Sequence, residues 1–315
     1  MWFAAKEEEV RRVRDAGFEA LDRGDADAAI ACGAELLGMR WSGGFELVAL
    51  GKRAKGDHKG ALAALDEAAS VAPAVWSLAQ LRGNVLDELG RHAEAVLAYD
   101  QALSLEGAWR GSIHYNRAVA NASLLRWGEA LADAEAALED ARDAPFTIEA
   151  VRLATEALGH LGRHEDAIAL LNHVGAAGPE AQAVLLDLRI GVLDRAGSAD
   201  AALLAAHVEQ AIEAGVAGLE VARRVHRGGA SGPRHRARAL LRGPAPTDAP
   251  SGVLGYFRPA TVRAADAAEA LGLLAALEPQ ATRSALALEV FEPVASEEGP
   301  AEVLHIAGRV LYGEE

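Results

Sequence analysis

Three histidines, His58, His92 and His164, each stand two residues after a glycine, at Gly56, Gly90 and Gly162, and a recurrence of that kind is what a metal stripe would require. The spacing works against it. Equivalent positions in successive packed helices lie roughly one packing distance apart, ~8 to 10 Å, whereas zinc takes each imidazole nitrogen at ~2 Å. Ala26, Trp127 and Ala199 hold the same slot elsewhere, so a flat ring filling space between helices is expected and no metal site is assigned. Gly51-Lys52 has the last glycine and lysine of a phosphate loop, but Glu46 stands where the loop needs its first glycine, so the backbone cradle cannot form. There is no nucleophile elbow, dinucleotide glycine pattern, HExxH or CxxC, and no cofactor is expected. His305 and Arg309, with Glu289 across a strand pair, are the groups that could seat an enzyme near the C-terminus. Asn121-Ala122-Ser123 spells a glycosylation sequon, coincidental inside a helix.

Composition sets the frame in which such residues are held. A chain of 315 residues is too long for one compact core unless the core repeats along one direction. Hydrophobic residues make up 51% with only 5% aromatic, the profile of a folded, alanine- and leucine-rich helical protein. No apolar run approaches the ~18 residues of a membrane span, and MWFAAKEEEV lacks the features of a secretory signal. Cys32 is alone, which excludes an internal disulfide and fits a reducing, cytoplasmic compartment. Lysine is nearly absent while arginine is abundant, a bias expected of a GC-rich bacterial genome.

The clearest helical pattern runs from Leu78 to Leu105. Leu78, Leu81, Val85 and Leu89 line one face of a first helix; Ala95, Val96, Tyr99, Ala102 and Leu103 line a second, with the joint at Leu89-Gly90-Arg91. Gly83, in mid-helix, costs roughly 1 kcal/mol against alanine, so a close helix crossing is expected there, with Ala95 and Ala102 on the other side. The joint recurs. Gly24, Gly56, Gly90, Gly162 and Gly197 occupy turns, and five residues after each come Ala29, Ala61, Ala95, Ala167 and Ala202; Ala130, after Arg126-Trp127-Gly128-Glu129, supplies the remaining copy. The steps between these alanines are 32, 34, 35, 37 and 35 residues. This period, the LGRHAEA and LGRHEDA joints, and Pro73 and Pro179 closing second helices resemble the tetratricopeptide repeat family over residues 10–214, about two thirds of the chain. Gly17, Gly83 and Ala118 match its small mid-helix residue and Tyr99 its aromatic. The family's first-helix tryptophan is missing, and Gly33 and Ala206 replace the aromatic in the outer copies. The resemblance implies a mainly α fold, a right-handed α-solenoid of about six helix hairpins.

Beyond this array, residues 215–252 read as a capping helix (Gly215 to Arg227) followed by an Arg/Pro/Gly-rich linker. Arg223, Arg224, Arg227, Arg234, Arg236, Arg238 and Arg242 lie here with no acid between residues 221 and 247, so a formal charge of −15 divides as +7 here and −22 elsewhere. Residues 253–315 change to period two and predict a small α+β domain in the order β-α-β-β, docked on the repeats. Its first strand carries Pro259 and so belongs at an edge or bulge; Asp266 to Glu269 is a capping box; Leu286–Phe291 and Leu304–Tyr312 are the remaining strands.

Stacked hairpins present their first helices as a concave wall. The polar stripe on that wall is Ser77, Gln80, Asn84 and Asp87, then Ser112, Tyr115 and Val119, then Glu149, Arg152, Glu156 and His160. A partner-binding groove is expected from Gln80, Asn84, Asp87, Ser112, Tyr115, Arg152, Glu156 and His160, with Tyr115 as anchor, taking a peptide or helix of another protein. Asn84 and Asn116 match the asparagines with which some tetratricopeptide proteins clamp a chaperone tail's carboxylate, but Gln80, Glu149 and Leu153 stand where its basic residues belong. The function expected is thus a non-enzymatic, bacterial, cytoplasmic scaffold or adaptor without a membrane contact. Two alternatives stay open: polyanion or nucleic-acid binding through the arginine segment, disfavoured by the overall charge, and a small enzyme or immunity-type regulatory domain in the tail.

Overall fold

The structure, a computed structural model, describes residues 2–140, 147–174, 179–196, 201–226, 231–246, 249–307 and 309–313. It divides into two compact units, Met1–Leu161 and Gly162–Glu315.

The first unit is built from α1 (Trp2–Asp22), α2 (Ala26–Gly38), α3 (Gly44–Ala54), α4 (His58–Val71), α5 (Trp76–Glu88), α6 (His92–Ser104), α7 (Arg110–Ser123), α8 (Trp127–Asp140) and α9 (Thr147–His160). Helices pair as α1/α2, α3/α4, α5/α6 and α7/α8, and each first helix also touches the next: α1 with α3, α3 with α5, α5 with α7, α7 with α9. That double contact is what a repeat needs to bury a face it cannot bury alone. The period-setting alanines Ala29, Ala61, Ala95 and Ala130 are all 0% exposed. Gly24, Gly56 and Gly90 have φ of 77°, 76° and 72° at their joints, the left-handed stop that glycine takes without strain. In the fourth joint that slot is Leu125, with φ 59°. Its N–H bonds the Ala122 carbonyl at 2.8 Å and Arg126 N–H the Asn121 carbonyl at 2.9 Å, the same pattern that Gly90 and Arg91 make. Leu125 is 73% exposed, so its side chain stabilises little while its backbone is strained. Leu125→Gly is expected to raise stability by ~1 kcal/mol. All five tryptophans lie in this unit, so a higher urea midpoint by tryptophan fluorescence is the measurement, and a fall would contradict it.

Gly83 does mark a close approach, but the group opposite it differs from expectation. The atoms a side chain there would meet first are those of the Tyr99 ring. Tyr99 is 1% exposed and its hydroxyl donates to Asn84 Oδ1 at 2.9 Å, so one aromatic fills the room the glycine vacates. Where Gly33 replaces the aromatic in the first copy, the backbones themselves close up: a Cβ on Gly33 would lie 2.7 Å from the Gly44 carbonyl oxygen.

The second unit contains α10 (His164–His173), α11 (Pro179–Arg195), α12 (Ala201–Glu213) and α13 (Leu219–Val225), then β1 (Ser231–Pro244), β2 (Val253–Ala264), α14 (Ala267–Ala275), a 3-10 turn (Gln280–Ala285), β3 (Ala287–Pro300), β4 (Glu302–Ile306) and β5 (Val310–Gly313). Gly162 has φ 72°, as a fifth joint requires; the sixth, at Gly197, lies outside the described residues. Pro179 opens α11 instead of closing the helix before it, a position where its missing N–H costs nothing. Val221 and Ala222 of α13 are buried in one core with Ile190 and Leu193 of α11, so this helix packs on α11. Asp187 of α11 accepts from the N–H groups of Glu220 and Val221 at 3.1 and 3.2 Å.

The arginine-rich stretch read as a linker is instead β1, a central strand of a five-stranded antiparallel sheet in the order β3-β1-β2-β4, with β5 also on β2. The order is therefore β-β-α-β-β-β. Alternation explains it: Ala237, Ala239 and Leu241 are buried against the helices, while Arg236, Arg238 and Arg242 point to the open face. β2 is likewise internal despite Pro259. The Pro259 carbonyl accepts from Ala307 N–H at 2.9 Å, so the proline nitrogen faces the break between β4 and β5, where no ladder bond is lost. That break splits the expected strand 304–312 in two, and β3 runs on to Pro300 with register shifts at two points. Asp266 caps α14, accepting from Glu269 N–H at 2.8 Å, while the Glu269 carboxylate reaches back to Ala265 N–H in place of the cap residue's own.

Candidate functional site

In the first unit the stripe is assembled by contact between successive first helices. Gln80 on α5 donates to Ser112 Oγ on α7 at 3.2 Å, and Asn116 on α7 donates to Asn84 Oδ1 on α5 at 3.0 Å. Glu46 on α3 and Ser77 on α5 repeat the first of these pairings one step earlier; burial raises the Glu46 carboxyl's pKa and the bond from Ser77 lowers it. One step later Tyr115 stands beside Glu149 and Arg152 of α9. Burial pushes its phenol upward, the Glu149 charge adds to this and Arg152 opposes it. Glu46, Gln80, Tyr115 and Arg152 hold the same place in four consecutive first helices, ten residues before the joint positions 56, 90, 125 and 162. Repetition of one helical position down the stack gives a continuous row.

The individual residues differ in what they can offer. Gln80, Asn84, Ser112 and Tyr115 are half-buried, and Arg152, Glu156 and His160 are exposed. Asp87 is engaged by the ring of His92, Oδ1 to Nδ1 at 2.6 Å, and His160 is stacked on Trp127 with centroids 3.9 Å apart and planes 8° from parallel. Arg152 lies 3.3 Å from Glu149 on its own helix. The wall is therefore a row of half-buried polar groups around one aromatic, with a charged pair at its α9 end.

The histidine slot proves polar at two joints. His92 meets Asp87, and His58 lies 3.0 Å from Glu88, while Trp127, against His160, shows the flat ring packing expected of that slot. No cluster of metal-ligating side chains occurs among the described residues. Lys52 donates to the Gly60 carbonyl at 3.3 Å, and the sequon asparagine, Asn121, is 4% exposed and donates to Asp133 Oδ2 at 3.1 Å. Asp133 was missed in the sequence. It is 5% exposed and also accepts from Arg117 Nε at 2.9 Å and lies 3.1 Å from His114 Nδ1. Its signal was a carboxylate among the buried positions Ala130, Ala134 and Ala137 of α8, where an unpaired charge could not stay.

The arginine segment has its counter-charge close by, in the same unit. Arg236 meets Glu297 at 2.7 Å, Arg238 meets Glu292 at 3.9 Å, Arg242 meets Glu289, and Arg234 forks onto Glu269 at 2.9 and 3.0 Å. On the helices, Arg223 meets Glu220 at 2.7 Å and Arg224 meets Asp194 at 3.2 Å; Arg227 lies outside the described residues. These pairs leave a neutral surface in place of a basic one. The trio suggested for an enzyme does not assemble: Glu289 is taken by Arg242, and Arg309, outside the strands, reaches Glu278 and lies over the Tyr256 ring at 4.5 Å, while His305 sits opposite Thr261. No helix among the described residues is long and apolar enough to cross a membrane.

No protein-family model matches the sequence, and no curated protein does. Among solved structures the chain is similar to a tetratricopeptide repeat protein from Parabacteroides merdae, at 16% identity and a TM-score of 0.50 over 69% of this chain and 85% of that one. It is similar to PilF of Pseudomonas aeruginosa at 16% identity and a TM-score of 0.53, over 71% and 95% of the two chains. PilW, a type IV pilus biogenesis factor, gives 17%, 0.51, 64% and 91%. At these identities the likeness is one of fold.

Proposed function

We propose, from the premise that its helical part has the tetratricopeptide-repeat fold, that this chain is a non-enzymatic adaptor whose α5–α7–α9 wall binds a peptide or helix of another protein. The observation that carries the reading is the row Glu46, Gln80, Tyr115 and Arg152, with Tyr115 half-buried between polar neighbours. A tyrosine gives broad contact with few rotors to freeze, and such residues are enriched where truncation costs ~2 kcal/mol or more. Mixed charge at Glu149, Arg152 and Glu156 suits a segment of neither strong sign. The paired arginines of β1 favour this reading over a polyanion binder. Cys32, with no partner cysteine in the sequence, suits a cytoplasmic setting.

The test begins with affinity capture by the full chain and mass spectrometry of what is retained. Against that purified partner, Tyr115→Ala with Arg152→Ala is expected to weaken binding at least tenfold, ~1.4 kcal/mol, with the unfolding midpoint unchanged. Normal binding by this variant would overturn the assignment of the groove.

A further inference from the structure

One face of the sheet packs on α13 and α14, and the other is open. On the open face the cross-strand register places Val290, Leu240 and Pro259 in one row across β3, β1 and β2, with Phe257 and Val310 paired in the next. Val290 is 41% and Val310 59% exposed. This apolar centre is framed by charges of both signs, Arg236, Arg238, Arg242 and Arg263 against Glu289, Glu292, Glu297 and Glu302. Four of each cancel, 4 − 4 = 0, so the whole formal charge of −15 is carried by the rest of the chain.

We propose that this face is where a second copy of the same chain docks. Two copies of a strongly acidic protein repel over most of their surfaces, and contact is least opposed where charge is balanced and apolar side chains are exposed. The face is also self-complementary. A two-fold axis running along the strands between β1 and β2 sets β1 of each copy over β2 of the other, and β3 over the β4–β5 edge. Leu240 then meets Pro259, Arg242 meets the Phe257 ring, and Glu292 approaches His305, each contact made twice. Four strand positions at ~4.8 Å and about seven residues at ~3.3 Å give roughly 450 Å² in plan per copy. Two copies bury on the order of 1,000 Å², the low end for specific contacts, so a weak, reversible dimer is expected. This inference is independent of the groove.

Analytical ultracentrifugation of the full chain between about 1 and 200 µM is the experiment. The chain of 32.8 kDa is expected to pass reversibly from monomer to dimer across that range. Val290→Lys with Thr261→Lys places four like charges in the dimer interface and is expected to weaken association at least tenfold; either substitution alone tests the same face if the pair does not fold. Tyr115→Ala with Arg152→Ala is expected to leave it unchanged. A monomer at every concentration, a dimer indifferent to the sheet substitutions, or one abolished by the groove substitutions instead would each overturn the proposal.

Discussion

Glu278→Ala is expected to destabilise the second unit by about 3 to 5 kcal/mol, although the residue is one carboxylate beside a proline. Glu278 is 0% exposed. Its carboxylate accepts from the Tyr256 hydroxyl and from Arg258 Nη1, both at 2.7 Å, and from Arg309. Arg258 is itself only 3% exposed, and its other donors reach the carbonyls of Ala217 and Ala307. Removing the acid strands a buried cation, which is far more costly than never having had the pair. Glu278→Ala with Arg258→Met should therefore cost less than Glu278→Ala alone. Hydrogen exchange over β1 and β2 reads the loss, while tryptophan fluorescence, confined to the first unit, should not move. Wild-type exchange in the single variant would show that the network contributes nothing.

Tyr99→Ala should cost the first unit about 3 to 5 kcal/mol, because it removes a fully buried ring and leaves a cavity at a helix crossing. Tyr99→Phe keeps the ring and loses one hydrogen bond to Asn84, at a cost of ~1 kcal/mol. The sharper result comes from Gly83→Ala. Alone it drives a methyl into the Tyr99 ring and should destabilise; in the Tyr99→Ala background the ring is gone, and the better helix former should stabilise by up to ~1 kcal/mol. The sign should reverse in a urea-denaturation double-mutant cycle. If Gly83→Ala has the same effect in both backgrounds, the two residues are not coupled.

Legibility in the sequence followed the range of the interaction concerned. The joints at Gly24, Gly56 and Gly90 could be read because a left-handed stop is decided within six residues; Leu125 went unread because its backbone does the same against its side chain's preference. Gly83 signalled a close approach, yet only the packed helices show that Tyr99 fills it. β1 was hidden by composition. Its period-two pattern, Arg236-Ala237-Arg238-Ala239, was visible, but the glutamates that neutralise it lie on β3, beyond another strand and a helix. For the groove, helical spacing placed Gln80, Asn84 and Asp87 on one face, while the pairings that tie α5 to α7, and the loss of Asp87 to His92, depend on stacking no local pattern encodes.

The position of β1 in its sheet has a consequence for how the chain is made. Its strand is complete at Pro244, but its β3 partner does not begin until Ala287, and Ser231 pairs with Pro300. At a ribosome adding ~5 to 20 residues per second, β1 waits from about two to about fourteen seconds for its second neighbour, while helical repeats can fold as they emerge. An unpaired strand with Ala237, Ala239 and Leu241 on one side is a template for aggregation during that interval. Arg236, Arg238 and Arg242, alternating with those residues, keep it hydrated and mutually repelling until the glutamates of β3 arrive to neutralise them. The same three side chains thus guard the nascent chain first and close the finished sheet afterwards.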